Sequence, residues 1–275
     1  MRRLLPTGPD VTDLTTARTP APPLSTLDLS TLEGLAEVYA YPASTAASAD
    51  GPGTPWLRAN MVSSVDGAAR LDGLSEGLSS EADKRIFGVL RALADVVLVG
   101  AETARAEGYR PARARAEFAE ARAARGQAPA PVIAVVSRRL DLDLSLPLFT
   151  EPLSPTIVLT CADAPAAELA AVSRVAEVII AGEQQVEAAA AVAALAARGW
   201  TRLLAEGGPS LLGQLAAAGV LDELCLSLAP LLAAGDAPRI AHGHEALAER
   251  LDLVALLEEK GFLFARYTRS VAYAD

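Results

Sequence analysis

The chain has 275 residues, 51% of them apolar and only 4% aromatic, with a formal net charge of −10. That length suits one large domain or two small ones with a substantial core, and the acidic balance argues against a nucleic-acid partner, which needs a basic surface. No apolar run is long enough to span a bilayer, and Met1-Arg2-Arg3 leads into Pro6, Gly8, Asp10 and Asp13 rather than into the apolar core of a signal peptide.

Residues 1–55 are rich in Pro, Thr, Ser, Ala and Gly, with one periodic piece around Leu27 to Tyr39. They read as an extended segment draped on a core formed by residues 56–275. Trp56–Val62 is a strand by pattern, Ser80–Leu93 a helix with Ile86, Val89, Leu90 and Leu93 on one face, and Asp95–Val99 a buried strand. Ala112–Arg125 reads as a solvated surface helix, although its signal is mostly alanine. Pro131–Val136, Thr156–Thr160, Val175–Ala181 and Thr201–Ala205 are short aliphatic runs that suit buried parallel strands. After Gly219 the pattern changes. Glu223–Ala229, Leu251–Glu258 and Phe262–Ser270 look antiparallel, the last two joined at Glu259-Lys260-Gly261. The expected architecture is α/β, a mixed sheet with a parallel centre and an antiparallel C-terminal edge.

Chemistry-bearing residues cluster where strands run into helices. In Arg202-Leu-Leu-Ala-Glu206-Gly-Gly-Pro209-Ser-Leu-Leu-Gly213 a buried strand meets a glycine-lined helix start, where backbone N–H groups and the helix dipole favour an anion. The alternative is a tight turn without a ligand. Glu206 is out of place beside an anion, so it either faces a second ligand or caps the helix. Gly100-Ala-Glu-Thr103 forms a second junction, and two such junctions define a crevice in which a dinucleotide could lie; a plain helix cap is the other reading of Gly100 and Thr103. Ser137-Arg138-Arg139 follows a strand and would suit the 2′-phosphate of NADPH, or is a solvated turn. Asp66-Gly67 is first a turn signal and second a catalytic Asp. Ser75 lies in a loop before the helix that Ser79 or Ser80 would cap. Arg91, Arg110 and Arg113 could bind a substrate phosphate, with an ion pair of Arg91 to Glu81, Asp83 or Glu107 as the alternative.

His242-Gly-His244 lacks the carboxylates to complete a metal shell and reads as a polar loop. Cys161 and Cys225, far apart and without Cys-x-x-Cys spacing, read as reduced core thiols of a cytoplasmic protein.

Four stretches occur together in one order: Ser64-Val-Asp66-Gly67, Leu90-Arg91 through Gly100-Ala-Glu-Thr103, Glu206-Gly-Gly-Pro209-Ser-Leu-Leu, and Gly219-Val-Leu-Asp222 through Pro230. Over roughly residues 56–270 the chain resembles the reductase domain of the bifunctional riboflavin-biosynthesis deaminase/reductase family, whose fold is like that of dihydrofolate reductase. The resemblance implies helices on both faces of the sheet and NADPH-dependent reduction of 5-amino-6-(5-phosphoribosylamino)uracil, or a closely related phosphoribosylamino-pyrimidine, with hydride delivered to C1 of the opened ribose. It implies cofactor contacts at Val62, Gly100, Thr103, Glu107, Ser137, Arg138, Gly207, Gly208, Pro209, Ser210, Leu211 and Leu212. Substrate contacts are implied at Ser64, Ser75, Arg91, Arg110, Arg113 and Glu206, with Asp66 and Glu206 as the catalytic pair and a homodimer as the assembly. Glu107 stands where the family has Asp, and Gly77 where it often has an aromatic residue. The deaminase zinc signature, His-x-Glu with Pro-Cys-x-x-Cys, is absent from this sequence. A dihydrofolate or pterin reductase, or a nucleotide-binding protein without turnover, are the other readings.

Overall fold

The computed structural model describes residues 1–5, 27–47, 53–243 and 246–270. Most of the Pro- and Thr-rich part of the N-terminal segment, His244 and the last five residues lie outside the described residues. The strands are β1 (Arg2–Leu5), β2 (Trp56–Ser64), β3 (Val96–Gly100), β4 (Val132–Val136), β5 (Ile157–Thr160), β6 (Glu177–Ile180), β7 (Arg202–Ala205), β8 (Glu223–Ala229), β9 (Leu251–Glu259) and β10 (Phe262–Arg269), and the α-helices between them include α3 (Ala101–Ala106), α5 (Pro147–Thr150) and α6 (Ala166–Val172). They form one sheet in the order β1-β9-β10-β8-β2-β7-β3-β4-β5-β6. From β8 through β6 every pairing is parallel, and β10, β9 and β1 add antiparallel partners at one edge. Among the strands read as antiparallel, β8 is the seam. It runs parallel to β2 and antiparallel to β10.

The parallel strands read as unbroken apolar runs because both faces are covered. In β3, Val97 and Val99 join the core beneath α1 (Leu32–Val38) and α2 (Glu81–Leu93), while Val96 and Leu98 join the core beneath α7 (Ala188–Ala196) and α8 (Pro209–Ala217). β7 inserts between β2 and β3, so the carboxyl ends of β2, β7, β3 and β4 line up along one rim, the position at which open parallel sheets bind ligands.

Two elements differ from the sequence reading. The strand β1 pairs with β9 across almost the whole chain, a partnership that four residues cannot advertise locally. The stretch Ala112–Arg125 is helical only over α4 (Ala119–Ala124), preceded by a tight turn at Ala116–Phe118. Nor is it merely solvated. Phe118 and Arg122 are buried, and Arg122 donates to the carbonyls of Ala92 (2.7 Å) and Ala94 (2.8 Å), satisfying acceptors that the end of α2 leaves open.

A charged knot locks the antiparallel edge to the parallel core. Glu223 of β8 accepts from Arg58 of β2 (2.7 Å), Arg266 of β10 (2.7 Å) and the indole of Trp56 (2.9 Å). Arg58 lies over the Tyr41 ring at 4.2 Å, and Arg266 donates to the carbonyl of Val38 at 2.6 Å, so the knot also holds down the segment after α1. Burial pushes the Glu223 carboxyl up, but Arg58 and Arg266 outweigh it and hold it at about 2. Burial removes the Cys225 thiol from its ordinary range upward, and both cysteines are free and buried.

Candidate active site

A crevice of about 1180 Å³ opens at the carboxyl rim of β2, β3, β4 and β7. Arg or Lys stands at nine lining positions and Asp or Glu at six, a cationic excess in a chain of net charge −10. Such a local excess suits an anionic ligand.

One wall is the glycine junction. Gly208 is the N-cap of α8 and Pro209 its first residue, and no side chain caps the helix start. The first-turn N–H groups therefore remain for a ligand. A Cβ on Gly208 would overlap the Thr103 hydroxyl of α3 (Ala101–Ala106), so with that hydroxyl in place the close meeting of the two junctions requires glycine. Gly100 N–H donates to the Gly207 carbonyl at 2.8 Å and Glu206 N–H to the Leu98 carbonyl at 2.9 Å, which ties the ends of β3 and β7 together. The Gly207–Gly208 peptide is cis.

Arg91 and Glu206 also line the crevice. Arg91 Nε donates to Glu206 Oε1 at 2.7 Å and Nη2 to Oε2 at 2.6 Å, a two-pronged pair, and the Tyr109 hydroxyl donates to Oε2 at 2.6 Å. The Arg91 guanidinium lies over the rings of Phe87 (4.4 Å to the centroid) and Tyr109 (5.2 Å). Burial works against the charge on Arg91, but Glu206 more than compensates and holds the guanidinium protonated; burial and the same carboxylate push the Tyr109 hydroxyl up. The partner of Arg91 is thus none of Glu81, Asp83 and Glu107, and Glu206 is not a lone carboxylate awaiting a ligand.

Val62, Gly100, Thr103, Glu107, Ser137, Arg138, Gly208, Pro209, Ser210 and Leu211 all line the crevice, as do Ser75, Arg91, Arg110, Arg113 and Glu206. Glu107 accepts the backbone N–H of Ser75 at 2.9 Å and so anchors the loop before α2. Ser80 caps α2, and the Ser79 hydroxyl instead donates to Asp83. The Ser137 hydroxyl accepts the N–H of Leu140 at 3.0 Å, closing the turn that presents Arg138 and Arg139. The side chains of Arg110, Arg113, Arg138 and Arg139 have no partner among the described residues.

Four expected contacts lie elsewhere. Ser64 is fully buried at the end of β2, where its hydroxyl serves Asp66 and the N–H of Ala68. Asp66 is exposed and accepts from the N–H groups of Ala233 (3.1 Å) and Ala234 (2.7 Å). Those hydrogen bonds hold its carboxyl down at about 2, led by the one from Ser64. It anchors the segment after β8 and does not line the crevice. Gly207 turns its carbonyl to Gly100, and Leu212 points into the core beneath α8. His242 lies beside the crevice with its N–H on the Pro209 carbonyl at 3.0 Å.

Tyr109 and Phe87 are crevice residues that the sequence reading passed over, and Asp83 is one that it weighed only as an ion partner of Arg91. The signal was available: Asp83, Phe87 and Arg91 recur every four residues and so share one stripe of α2.

Comparison with known proteins adds a family. A model of the RibD C-terminal domain matches residues 55–260. The 2,5-diamino-6-ribosylamino-4(3H)-pyrimidinone 5′-phosphate reductase of Archaeoglobus fulgidus is 30% identical over 218 residues, which cover 78% of this chain and 99% of that protein. The reductase of the same name from Methanothermobacter thermautotrophicus is 28% identical over 202 residues, covering 74% and 90%. The crystal structure of a pyrimidine reductase-like protein from Corynebacterium diphtheriae superposes with a TM-score of 0.74 at 30% identity, covering 78% of this chain and 92% of that one.

Proposed function

The chain belongs to the RibD C-terminal domain family and is an oxidoreductase, and from that premise we propose that it reduces a 5′-phosphoribosylamino-pyrimidine with NADPH. The observation that carries this reading is that one crevice is lined both by an uncapped helix start and by the Arg91–Glu206–Tyr109 cluster. The diamino-pyrimidinone phosphate named for the archaeal relatives is the first substrate to try, and the corresponding uracil the second.

The glycine wall fits a dinucleotide. Gly208 leaves a cradle that a Cβ would fill, the first turn of α8 offers N–H donors to a diphosphate, and Arg138 and Arg139 stand unpaired at the far end for a 2′-phosphate. When bound there, the nicotinamide supplies the hydride. The chain's own residues bind and orient. Arg91 spends Nε and Nη2 on Glu206, which leaves Nη1 to donate to the substrate. Phe87 and Tyr109 hold that guanidinium over their rings, and Arg110 and Arg113 answer the 5′-phosphate. The net change is one hydride to C1 of the opened ribose and one proton to the linking nitrogen. No protein nucleophile is needed, so positioning supplies the rate.

The cationic excess in the crevice favours the phosphorylated substrate over a pterin. A homodimer, a cytoplasmic setting and a division into an N-terminal segment on a 56–275 reductase domain belong to the same reading; the free buried cysteines support the setting, and the packing of α1 against α2 supports the division.

The test is turnover. NADPH absorbance should fall when the purified protein meets either phosphoribosylamino-pyrimidine and stay constant with dihydrofolate. No oxidation with either pyrimidine would leave a binding protein rather than an enzyme.

A further inference from the structure

We propose that Asp83 reads the C2 substituent of the pyrimidine and makes the enzyme selective for a 2-amino over a 2-oxo substrate, an inference that rests on the reductase reading above. Asp83 is only 8% exposed and lines the crevice from the first turn of α2. Its two oxygens are held from two directions. The Ser227 hydroxyl of β8 donates to Oδ1 at 2.6 Å, and the Ser79 hydroxyl donates to Oδ2 at 2.6 Å. Two hydroxyls from separate elements fix the carboxylate without neutralising it, and it has no cationic partner among the described residues. Glu206, by contrast, has its charge answered by Arg91 and its second oxygen shared with Tyr109.

Each Asp83 oxygen retains a lone pair after accepting one hydroxyl, and an ionised carboxylate only accepts. A buried acceptor of this kind is stabilised by a ligand that donates and repels one that presents lone pairs. The neighbouring wall has the same polarity. Ser227 is the register partner of Val62, and two residues back on β2 the Asn60 Oδ1 is buried with no partner among the described residues. A wall of acceptors asks for an edge of donors. A 2-aminopyrimidinone has that edge, with an exocyclic amino group beside a ring N–H, whereas the 2-oxo compound turns a carbonyl oxygen to the same place.

The experiment compares kcat/KM for the 2,5-diamino-pyrimidinone phosphate and for the corresponding uracil, in the wild type and in Asp83→Asn. The wild type should prefer the 2-amino substrate by about tenfold or more, in keeping with sites built around a substrate N–H. Asp83→Asn, whose amide can donate to a 2-oxo group, should reduce that preference by about tenfold, with the change carried mainly by KM for the uracil. An equal loss on both substrates would mark Asp83 as merely structural and overturn the proposal, as would a wild type indifferent to the two. Ser227→Ala removes one anchor and keeps the charge. It should loosen the preference in the same direction, and an unchanged ratio would count against the proposal should Asp83→Asn fail to fold. Turnover of neither compound by the wild type would instead remove the reductase reading, and this inference with it.

Discussion

Arg91 and Glu206, 115 residues apart in sequence, meet in a two-pronged ion pair with contacts of 2.7 and 2.6 Å in the lining of the crevice. The Glu206 side chain is 2% exposed and that of Arg91 23%. Removing Arg91 therefore strands a buried carboxylate. Arg91→Ala should cost about 3 kcal/mol of stability and lower kcat/KM by roughly a hundredfold through lost positioning. Because the two residues act as one unit, Arg91→Ala with Glu206→Gln should fall short of the sum of the single losses by at least about 1 kcal/mol. Denaturant unfolding of the four proteins measures this, and strict additivity would show that the pair is not coupled.

The place of Gly208 is set by the Thr103 hydroxyl. Gly208→Ala should weaken NADPH binding by about tenfold, equivalent to about 1.4 kcal/mol, while the circular-dichroism spectrum stays that of the wild type. The hydroxyl is the atom in the way. Thr103→Ala added to Gly208→Ala should therefore bind NADPH more tightly than Gly208→Ala alone. Calorimetric titration decides it, and a Gly208→Ala variant with wild-type affinity would remove the steric argument.

What could be read in advance divides by distance along the chain. The junction at Glu206-Gly-Gly-Pro209 was legible because a buried strand, two glycines and an N1 proline signal it within a dozen residues. β8 was found with its bounds correct, but its mixed pairing depends on β2 lying beside it, which no local pattern carries. The partner of Arg91 was missed for the same reason: Glu81, Asp83 and Glu107 are near in sequence, Glu206 only in space. Phe87 was overlooked because the apolar stripe of Ile86, Val89, Leu90 and Leu93 drew attention to a neighbouring face of the same helix, and Asp83 was weighed only as an ion partner of Arg91. Alanine misled most over Ala112–Arg125, where helix propensity outweighed the buried Phe118 and Arg122.

Cofactor choice should depend on Arg138 and Arg139. Both are exposed, line the crevice and lack partners among the described residues, whereas the Ser137 hydroxyl is occupied with the Leu140 N–H. The wild type should prefer NADPH to NADH. Replacing both arginines by alanine should erase about tenfold or more of that preference while leaving NADH affinity unchanged, since only the 2′-phosphate contact is lost. Fluorescence titration with the two cofactors is the measurement. Equal affinity in the wild type would sink the assignment of this turn.

Asp66 should act through stability rather than turnover. Its carboxylate ties the end of β2 to the N–H groups of Ala233 and Ala234, and the Ser64 hydroxyl, followed by those two N–H groups, lowers its carboxyl from 3.8 to about 2. The sign follows from linkage. A carboxyl whose folded value is depressed stabilises the fold above its unfolded value, and that contribution is lost as pH falls toward the folded one. The window is therefore about pH 4 to 2. Other depressed carboxyls, Glu223 among them, titrate in the same range, so the wild type must be compared with Asp66→Asn. The difference in unfolding free energy between the two should be constant above about pH 4 and shrink toward pH 2. At neutral pH Asp66→Asn should retain kcat within about twofold, because the carboxylate does not line the crevice. A collapse of kcat with unchanged stability would instead return Asp66 to the chemistry.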